Sequence, residues 1–250
     1  MIKGLFKLAL WTGVGLVTIR VLAGTEKGSA ALTAAERLVF RQLVPDYAQV
    51  YLDPLFAVVD SEPEGSPAKS EFVLYAIGNM ETKWSTGSGY TPKGSPAGTG
   101  DTGTRSANRW PPPGPPPGGR GWGHGLMQID WGSHWEWLQT HDWTDPETNI
   151  RKGASILRDY YEFLGKPGAP FRVAGVTIGG PNGLPDPRPL SGAAQLFAAL
   201  AAYNAGPYSV SLALARGLPA DAYTYPAKQG RAGYATQVLA MINDLKEKFS

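Results

Sequence analysis

Gly121-Trp122-Gly123-His124-Gly125-Leu126-Met127-Gln128-Ile129-Asp130 is the stretch whose reading decides the rest of this chain. It follows a long Pro/Gly loop. Glycines at 121, 123 and 125 lack a Cβ, so the backbone there can bend sharply or approach a ligand closely. Leu126, Met127 and Ile129 can anchor the segment in a core. Gln128 donates and accepts hydrogen bonds at once, and Asp130 adds a base or an anchor. Alone, the decapeptide reads equally well as a buried turn. The segments on either side decide between the two.

The 250 residues suit one good-sized domain with insertions, or a domain with a small appendage. Glycine (32) and proline (22) are clustered, which points to long loops on a compact body. A net charge of +2, with no basic stripe interleaved with aromatics, speaks against a nucleic-acid partner. A slight positive bias suits an anionic polymer such as a bacterial wall. Without cysteine the chain has no disulfide, no thiol nucleophile and no thiolate metal site.

At the N-terminus, Lys3 and Lys7 precede the uncharged run Leu8 to Ile19, and Arg20 closes it. Twelve residues match a signal-peptide core better than a bilayer span. If Lys3, Lys7 and Arg20 snorkel, residues 1–24 can still span or lie on a membrane. A packed N-terminal helix is the alternative. Export signal or anchor implies a location at the bacterial envelope, either exported or membrane-anchored.

Thr33-Ala34-Ala35-Glu36 has the spacing of a capping box and predicts a helix through Val44, stopped by Pro45. It belongs to an N-terminal helical extension, 25–65, in which Tyr47, Val50, Tyr51, Leu55, Phe56 and Val58 are expected to pack on the domain. Ser66 and Pro67 read as N-cap and first position of the next helix. That helix carries Val73, Ile77, Met80 and Trp84 as an apolar stripe. Glu81 lies at the edge of this stripe, in the last turn. A helix C-terminus disfavours negative charge, and so does apolar burial, so both push this carboxyl's pKa upward. A residue that breaks a local rule marks where function is to be sought; an exposed glutamate at a helix end is the plain alternative.

Residues 85–120 form an irregular insertion ending in a polyproline run after Trp110, as expected of a surface loop or a lid near a site. Beyond the central stretch come Ser133, His134, Trp135, Trp137 and Trp143; the tryptophans read as core or as stacking surfaces for sugar rings. Asp145-Pro146 predicts the start of a helix with Ile150, Ala154, Leu157, Tyr161 and Leu164 inward and Gly165 as its stop. A second insertion fills 166–190, where Val173 to Ile178 is the best strand candidate. An Ala-rich helix over Ser191–Asn204, a short helix to Arg216 and a last helix carrying Tyr234, Val238, Met241/Ile242, Leu245 and Phe249 complete the chain.

Glu81 closing a helix, Gly125-Leu-Met-Gln-Ile-Asp130, Ala202-Tyr203-Asn204-Ala205-Gly206, and the pair Tyr234 and Val238 together resemble the lysozyme-like enzymes of the soluble lytic transglycosylase and goose-type lysozyme group. The resemblance spans about residues 66–245. Asp130 directly after the Gln-Ile pair, with Ser133-His134 shortly after it, favours the goose-type branch. The chain departs from that branch in a larger insertion between Glu81 and Gln128, and in His124 where a further aspartate stands.

The resemblance implies a mainly α fold (the α+β lysozyme-like fold). Its catalytic domain would cover 66–250, with a substrate cleft and the two insertions. It implies a muramidase that cuts the β-1,4 bond between N-acetylmuramic acid and N-acetylglucosamine in peptidoglycan glycan strands, without metal or cofactor. Glu81 matches the catalytic acid, and Asp130 the carboxylate that helps activate water. Met127 and Gln128 match the cleft floor, Tyr203 and Asn204 its wall, and Tyr234 the tyrosine near the acid; His134 joins this substrate-facing set. An inverting hydrolase holds its two carboxyls about 6.5–9.5 Å apart. Lytic transglycosylation, giving 1,6-anhydro products, is the alternative. An inactive wall-binding or virion structural protein is the alternative from another class, and a phage particle is the corresponding alternative location.

Overall fold

Thr33 and Glu36 do form a capping box. The Thr33 hydroxyl accepts from the Glu36 amide and the Glu36 carboxylate accepts from the Thr33 amide, which starts α1 (Ala34–Leu43) ahead of Pro45. The computed structural model describes residues 7–12, 15–20, 31–85 and 123–249, and this part is mainly helical. After α1 come α2 (Asp46–Gln49), α3 (Leu52–Ser61), α4 (Glu71–Thr82), α5 (Trp131–Thr140), α6 (Pro146–Gly165), α7 (Gly192–Ala205), α8 (Pro207–Ala215), α9 (Tyr225–Lys228) and α10 (Tyr234–Phe249).

The strands form three antiparallel pairs. β1 (Lys7–Thr12) pairs with β2 (Gly15–Arg20), β3 (Gly123–His124) with β4 (Ile129–Asp130), and β5 (Phe171–Val173) with β6 (Val176–Ile178). The uncharged N-terminal run is therefore a strand pair rather than a packed helix. Its β-branched residues (Val17, Thr18, Ile19) suit a strand better than a helix. No described helix is long and apolar enough to cross a membrane. The polyproline run, Gly121, Trp122 and most of the 85–120 insertion lie outside the described residues.

The described residues fall into two units. The first takes in 31–63, 68–155 and 241–250, so the expected N-terminal extension contributes its residues 31–63 to it; the second takes in 64–67 and 156–240 together with the N-terminal strand pair.

In the first unit, α4 is buried at every position from Glu71 to Gly78, a wider apolar surface than the stripe read from spacing. Its start is Ser70, not Ser66-Pro67, because Glu71 is tied down there. The Glu71 carboxylate accepts from the Leu32 amide (3.1 Å) and from Arg37 Nε (3.0 Å) and Nη2 (2.9 Å). A carboxylate in the first turn also meets the positive end of the helix dipole. Arg37 pairs as well with Asp60 at 2.6 Å, which holds the Asp60 carboxyl below its usual range.

The end of α4 differs from the reading in a way that matters for Glu81. Trp84 is not a fourth member of the helical stripe. Lys83 (φ 51°) and Trp84 (φ 47°) are both left-handed, and they fold the chain back along the helix it has just left. The Trp84 indole N–H donates to the Tyr75 carbonyl at 3.0 Å, and the ring lies between Tyr51 and Tyr75, with centroids 5.6 and 5.5 Å away. A Cβ on Gly78 would stand 2.5 Å from this ring, so only glycine admits it. Tyr51, Leu55, Phe56 and Val58 are buried as expected, but Tyr47 and Val50 are exposed. α2 and α3 are separate short helices, which turns those two side chains outward.

In the second unit, Leu157, Leu164, Ala198 to Ala202, Val210, Ala213 and Val238 are buried. The residues read as one strand, Val173 to Ile178, are instead the end of β5, a turn and β6. Ala174 (φ 49°) and Gly175 (φ 80°) make that two-residue turn, the left-handed pair that suits strand twist. The start of α10 is set by Asp221, whose carboxylate accepts from the amides of Ala235 and Thr236 (both 2.9 Å) and from the Thr236 hydroxyl (2.7 Å).

Gly78→Ala is expected to destabilise the protein by about 1–3 kcal/mol, the usual cost of overpacking. Tryptophan fluorescence through a urea transition measures it. An unchanged midpoint would show that Trp84 is not lodged against the helix.

Candidate active site

The site residues of the first unit are brought together by two short pieces of chain. Glu81 is half-buried in the last turn of α4. The next residue, Thr82, points its hydroxyl at two carbonyls, Gly78 O in its own helix and Leu126 O in the central stretch, each at 3.1 Å. One hydroxyl proton is thus shared between a helix end and a turn that stands 44 residues further along the sequence. This bond joins Glu81's neighbour to the Gly-Leu-Met-Gln segment.

That segment is a tight turn between β3 and β4, in which Gly123 opposes Asp130 and His124 opposes Ile129. The Gln128 amide donates to the Gly125 carbonyl at 3.2 Å, and its side-chain Nε2 donates to the same oxygen at 2.9 Å. Gly125 (φ 72°) and Gln128 (φ 49°) are both left-handed. Glycine takes that conformation without penalty; glutamine does not, and strain of about 1–3 kcal/mol held at a non-glycine residue is a mark of functional turns.

What holds the turn is Asn149, fully buried on α6. Its Oδ1 accepts from the Met127 amide at 2.8 Å, while Nδ2 donates to the carbonyls of His124 and Trp143, each at 3.1 Å. A side chain at Gly125 would overlap this carboxamide, so position 125 is glycine for space as well as for φ. In the sequence, Asn149 falls within the helix predicted from Asp145-Pro146, with no role of its own. The available signal was a polar residue on the inward face, one position before Ile150 and one turn before Gly153.

Met127 is fully buried, so it shapes the turn from beneath, whereas Gln128 is partly exposed. Asp130 is the N-cap of α5: its Oδ2 accepts from the Ser133 amide and the Ser133 hydroxyl, each at 3.0 Å. His124 is buried between Trp131, stacked at 5.6 Å, and Trp143, edge-on at 5.0 Å. His134 sits at a kink inside α5 (φ −135°). Burial chiefly, and the Lys152 charge next, lower its pKa from 6.5 to about 4, against the opposing pull of Asp130. It is therefore a neutral imidazole at ordinary pH. Lys152 also lies over the Trp137 ring at 5.7 Å, with Trp137 stacked on His141.

The other three candidates belong to the second unit. Tyr203 is partly exposed and Asn204 exposed at the end of α7. The Asn204 Oδ1 accepts from the Tyr225 amide at 2.8 Å, which fixes the orientation of its carboxamide. Tyr234, first residue of α10, is buried, and its amide donates to the Thr224 hydroxyl at 3.2 Å.

Compared with known families, the chain matches the transglycosylase SLT domain over residues 88–218, just over half its length. The match takes in Met127, Gln128, Asp130, His134, Tyr203 and Asn204. It begins seven residues after Glu81 and ends before Tyr234. Comparison with curated proteins gives no match.

Two outcomes follow from this geometry. Asn149→Ala leaves three backbone groups without their partner and is expected to cost at least about 3 kcal/mol in chemical denaturation, given about 1–3 kcal/mol for each buried group left unsatisfied. A cost below about 0.5 kcal/mol would show that Asn149 does not hold the turn. His134 supplies a pH dependence with a definite sign. Between its folded pKa of about 4 and the ordinary 6.5, the unfolded chain binds the extra proton. Stability is therefore full above pH 6.5 and falls as pH drops toward 4. His134→Gln should flatten that stretch of the stability curve; the same slope in both proteins would contradict it.

Proposed function

The chain belongs to the transglycosylase SLT family of peptidoglycan-cleaving enzymes, and on that premise we propose that Glu81 is the acid and that cleavage proceeds by lytic transglycosylation. The observation that carries this reading is the Thr82 hydroxyl bonded to the Leu126 carbonyl. It couples the residue after Glu81 to the turn that presents Gln128. A carboxyl near a helix C-terminus faces the negative end of the dipole, which disfavours the anion and suits a proton donor.

In the proposed reaction Glu81 passes its proton to the glycosidic oxygen linking N-acetylmuramic acid to N-acetylglucosamine. The C1–O4 bond breaks through an oxocarbenium-like state. The muramic acid 6-hydroxyl then attacks C1, and its proton returns to Glu81. One carboxyl serves as acid and then as base, no water is consumed, and the product ends in a 1,6-anhydro ring. The carboxamide of Gln128 and the fixed carboxamide of Asn204 are suited to the polar edges of N-acetyl sugars, and the partly exposed Tyr203 ring to a sugar face.

Hydrolysis is the second reading, and one observation favours it. Asp130 ends β4 two residues after Gln128, where it would serve as the base that activates water. Against it, Asp130 already holds the start of α5 through both of its bonds to Ser133. Asp130→Asn separates the readings, because asparagine is as good an N-cap but no base.

Mass spectrometry of digested walls is expected to show 1,6-anhydro ends for the wild type and for Asp130→Asn at similar rates. Glu81→Gln should lower the rate at least about a hundredfold, in the range that general acid catalysis contributes. Reducing ends, with a comparable loss in Asp130→Asn, would overturn transglycosylation in favour of hydrolysis. Full activity of Glu81→Gln would remove the acid.

A further inference from the structure

A polar-aromatic pocket lies within the second unit, built by the 166–190 insertion on the end of α6 and the start of α8. It measures about 430 Å³, inside the range of small-ligand sites of about 300–1,000 Å³. Phe163, Phe171, Tyr208 and Arg188 line it. The Arg188 side chain is only 3% exposed, an unusual position for a guanidinium on a pocket wall. Its carbon stands over Phe163 at 4.3 Å and over Phe171 at 4.9 Å, so two rings hold the plane. Asp186 takes the Nε and Nη2 edge, with bonds of 2.9 and 3.2 Å to Nε and 2.7 Å to Nη2. That pairing also keeps the Asp186 carboxyl below its usual range.

The remaining nitrogen, Nη1, makes no hydrogen bond to any described residue. The chain beside it is Gly168, which has no side chain to cover it. A guanidinium locked by two rings and a carboxylate, with one donor edge left open on a pocket, is preorganised for an acceptor. Charge says which kind. Asp186 cancels Arg188, and at the rim Glu162 pairs with Lys166 at 2.8 Å. Each of the two lining cations, Arg188 and Lys166, thus has its own carboxylate partner, so a neutral carbonyl suits the open Nη1 edge. Tyr208 is 49% exposed; its ring meets Phe171 at 5.0 Å and Phe163 at 5.2 Å, which fixes it as a platform with a hydroxyl at its edge.

We infer that this pocket binds one N-acetylated sugar ring of a glycan strand. The acetamido carbonyl accepts from Arg188 Nη1, and the ring's C–H face rests on Tyr208. The inference rests on the glycan-strand substrate that the family implies. The site contains none of the residues assigned to bond cleavage. Its role is to grip the polymer.

The test is a titration of the full chain followed by NMR of aromatic side chains and backbone amides. The probes are the trimer of N-acetylglucosamine, its analogue cellotriose, which lacks the acetamido groups, and a wall stem peptide. Saturable shifts of the Tyr208 and Phe171 ring signals are expected with the acetylated trimer alone. Tyr208→Ala should abolish those shifts and slow clearance of insoluble walls about threefold to tenfold, the scale of one aromatic contact. It should leave the rate on short soluble glycan fragments unchanged, and Tyr208→Phe should retain most of both. Shifts with cellotriose or stem peptide instead would overturn the assignment of the acetamido group. Shifts at the Gln128 amide with none at Tyr208 would overturn the second site and leave the proposed reaction standing. If neither position responds, the second site also falls, and wall cleavage by the same sample then decides separately whether the proposed reaction stands.

Discussion

One hydroxyl proton, shared by Thr82 between a helix carbonyl and the Leu126 carbonyl, is the constraint on which the candidate site depends. The two pieces it joins are fixed independently. The helix end is set by Trp84, which folds back on two left-handed residues and bonds to Tyr75. The turn is set by Asn149, which satisfies one amide and two carbonyls from inside the core. Each piece is held by its own partners, and the Thr82–Leu126 bond ties the helix end that carries Glu81 to the turn that carries Gln128.

The same economy explains why polar residues lie so deep in the first unit. Asn149 and Glu71 are both fully buried, and both would be costly without partners. Asn149 spends its carboxamide on main-chain groups that a strained turn cannot pair internally. Glu71 is matched by Arg37 and by the Leu32 amide, which anchors the start of the helix that ends in Glu81 and Thr82. Polar interactions thus fix both ends of α4, while its apolar surface supplies the stability. His134 adds a neutral side chain beside Asp130, kept uncharged by burial and by Lys152.

Much of this was legible in the sequence. The capping box at Thr33–Glu36, the Asp145-Pro146 helix start and the Ala-rich helix all follow local rules, and local rules sufficed. The motifs around Glu81, Gln128 and Asn204 pointed to the family that the SLT match establishes. The failures share a cause. Trp84 lies at helical spacing from Ile77 and Met80, and only the backbone reversal at Lys83 removes it from the helix. Ser66-Pro67 looks like a helix start as good as any, but the partners of Glu71 lie more than 30 residues away. Ala174-Gly175 is a hairpin turn whose flanking residues read as one continuous strand. Asn149 and the Arg188 pocket depend on partners brought together only by folding, so no window along the chain displays them.

In the proposed reaction the Thr82 bond, more than the fold at large, positions Glu81. Wall-cleavage rates of Thr82→Val and Thr82→Ser, measured beside their thermal midpoints, address it directly. Valine keeps the shape and loses the hydroxyl; serine keeps the hydroxyl. The expected result is a loss of up to about a hundredfold in Thr82→Val, the cost of a misplacement near 1 Å, with near-normal cleavage by Thr82→Ser and both proteins folded. Equal rates in a folded Thr82→Val protein and the wild type would contradict the account.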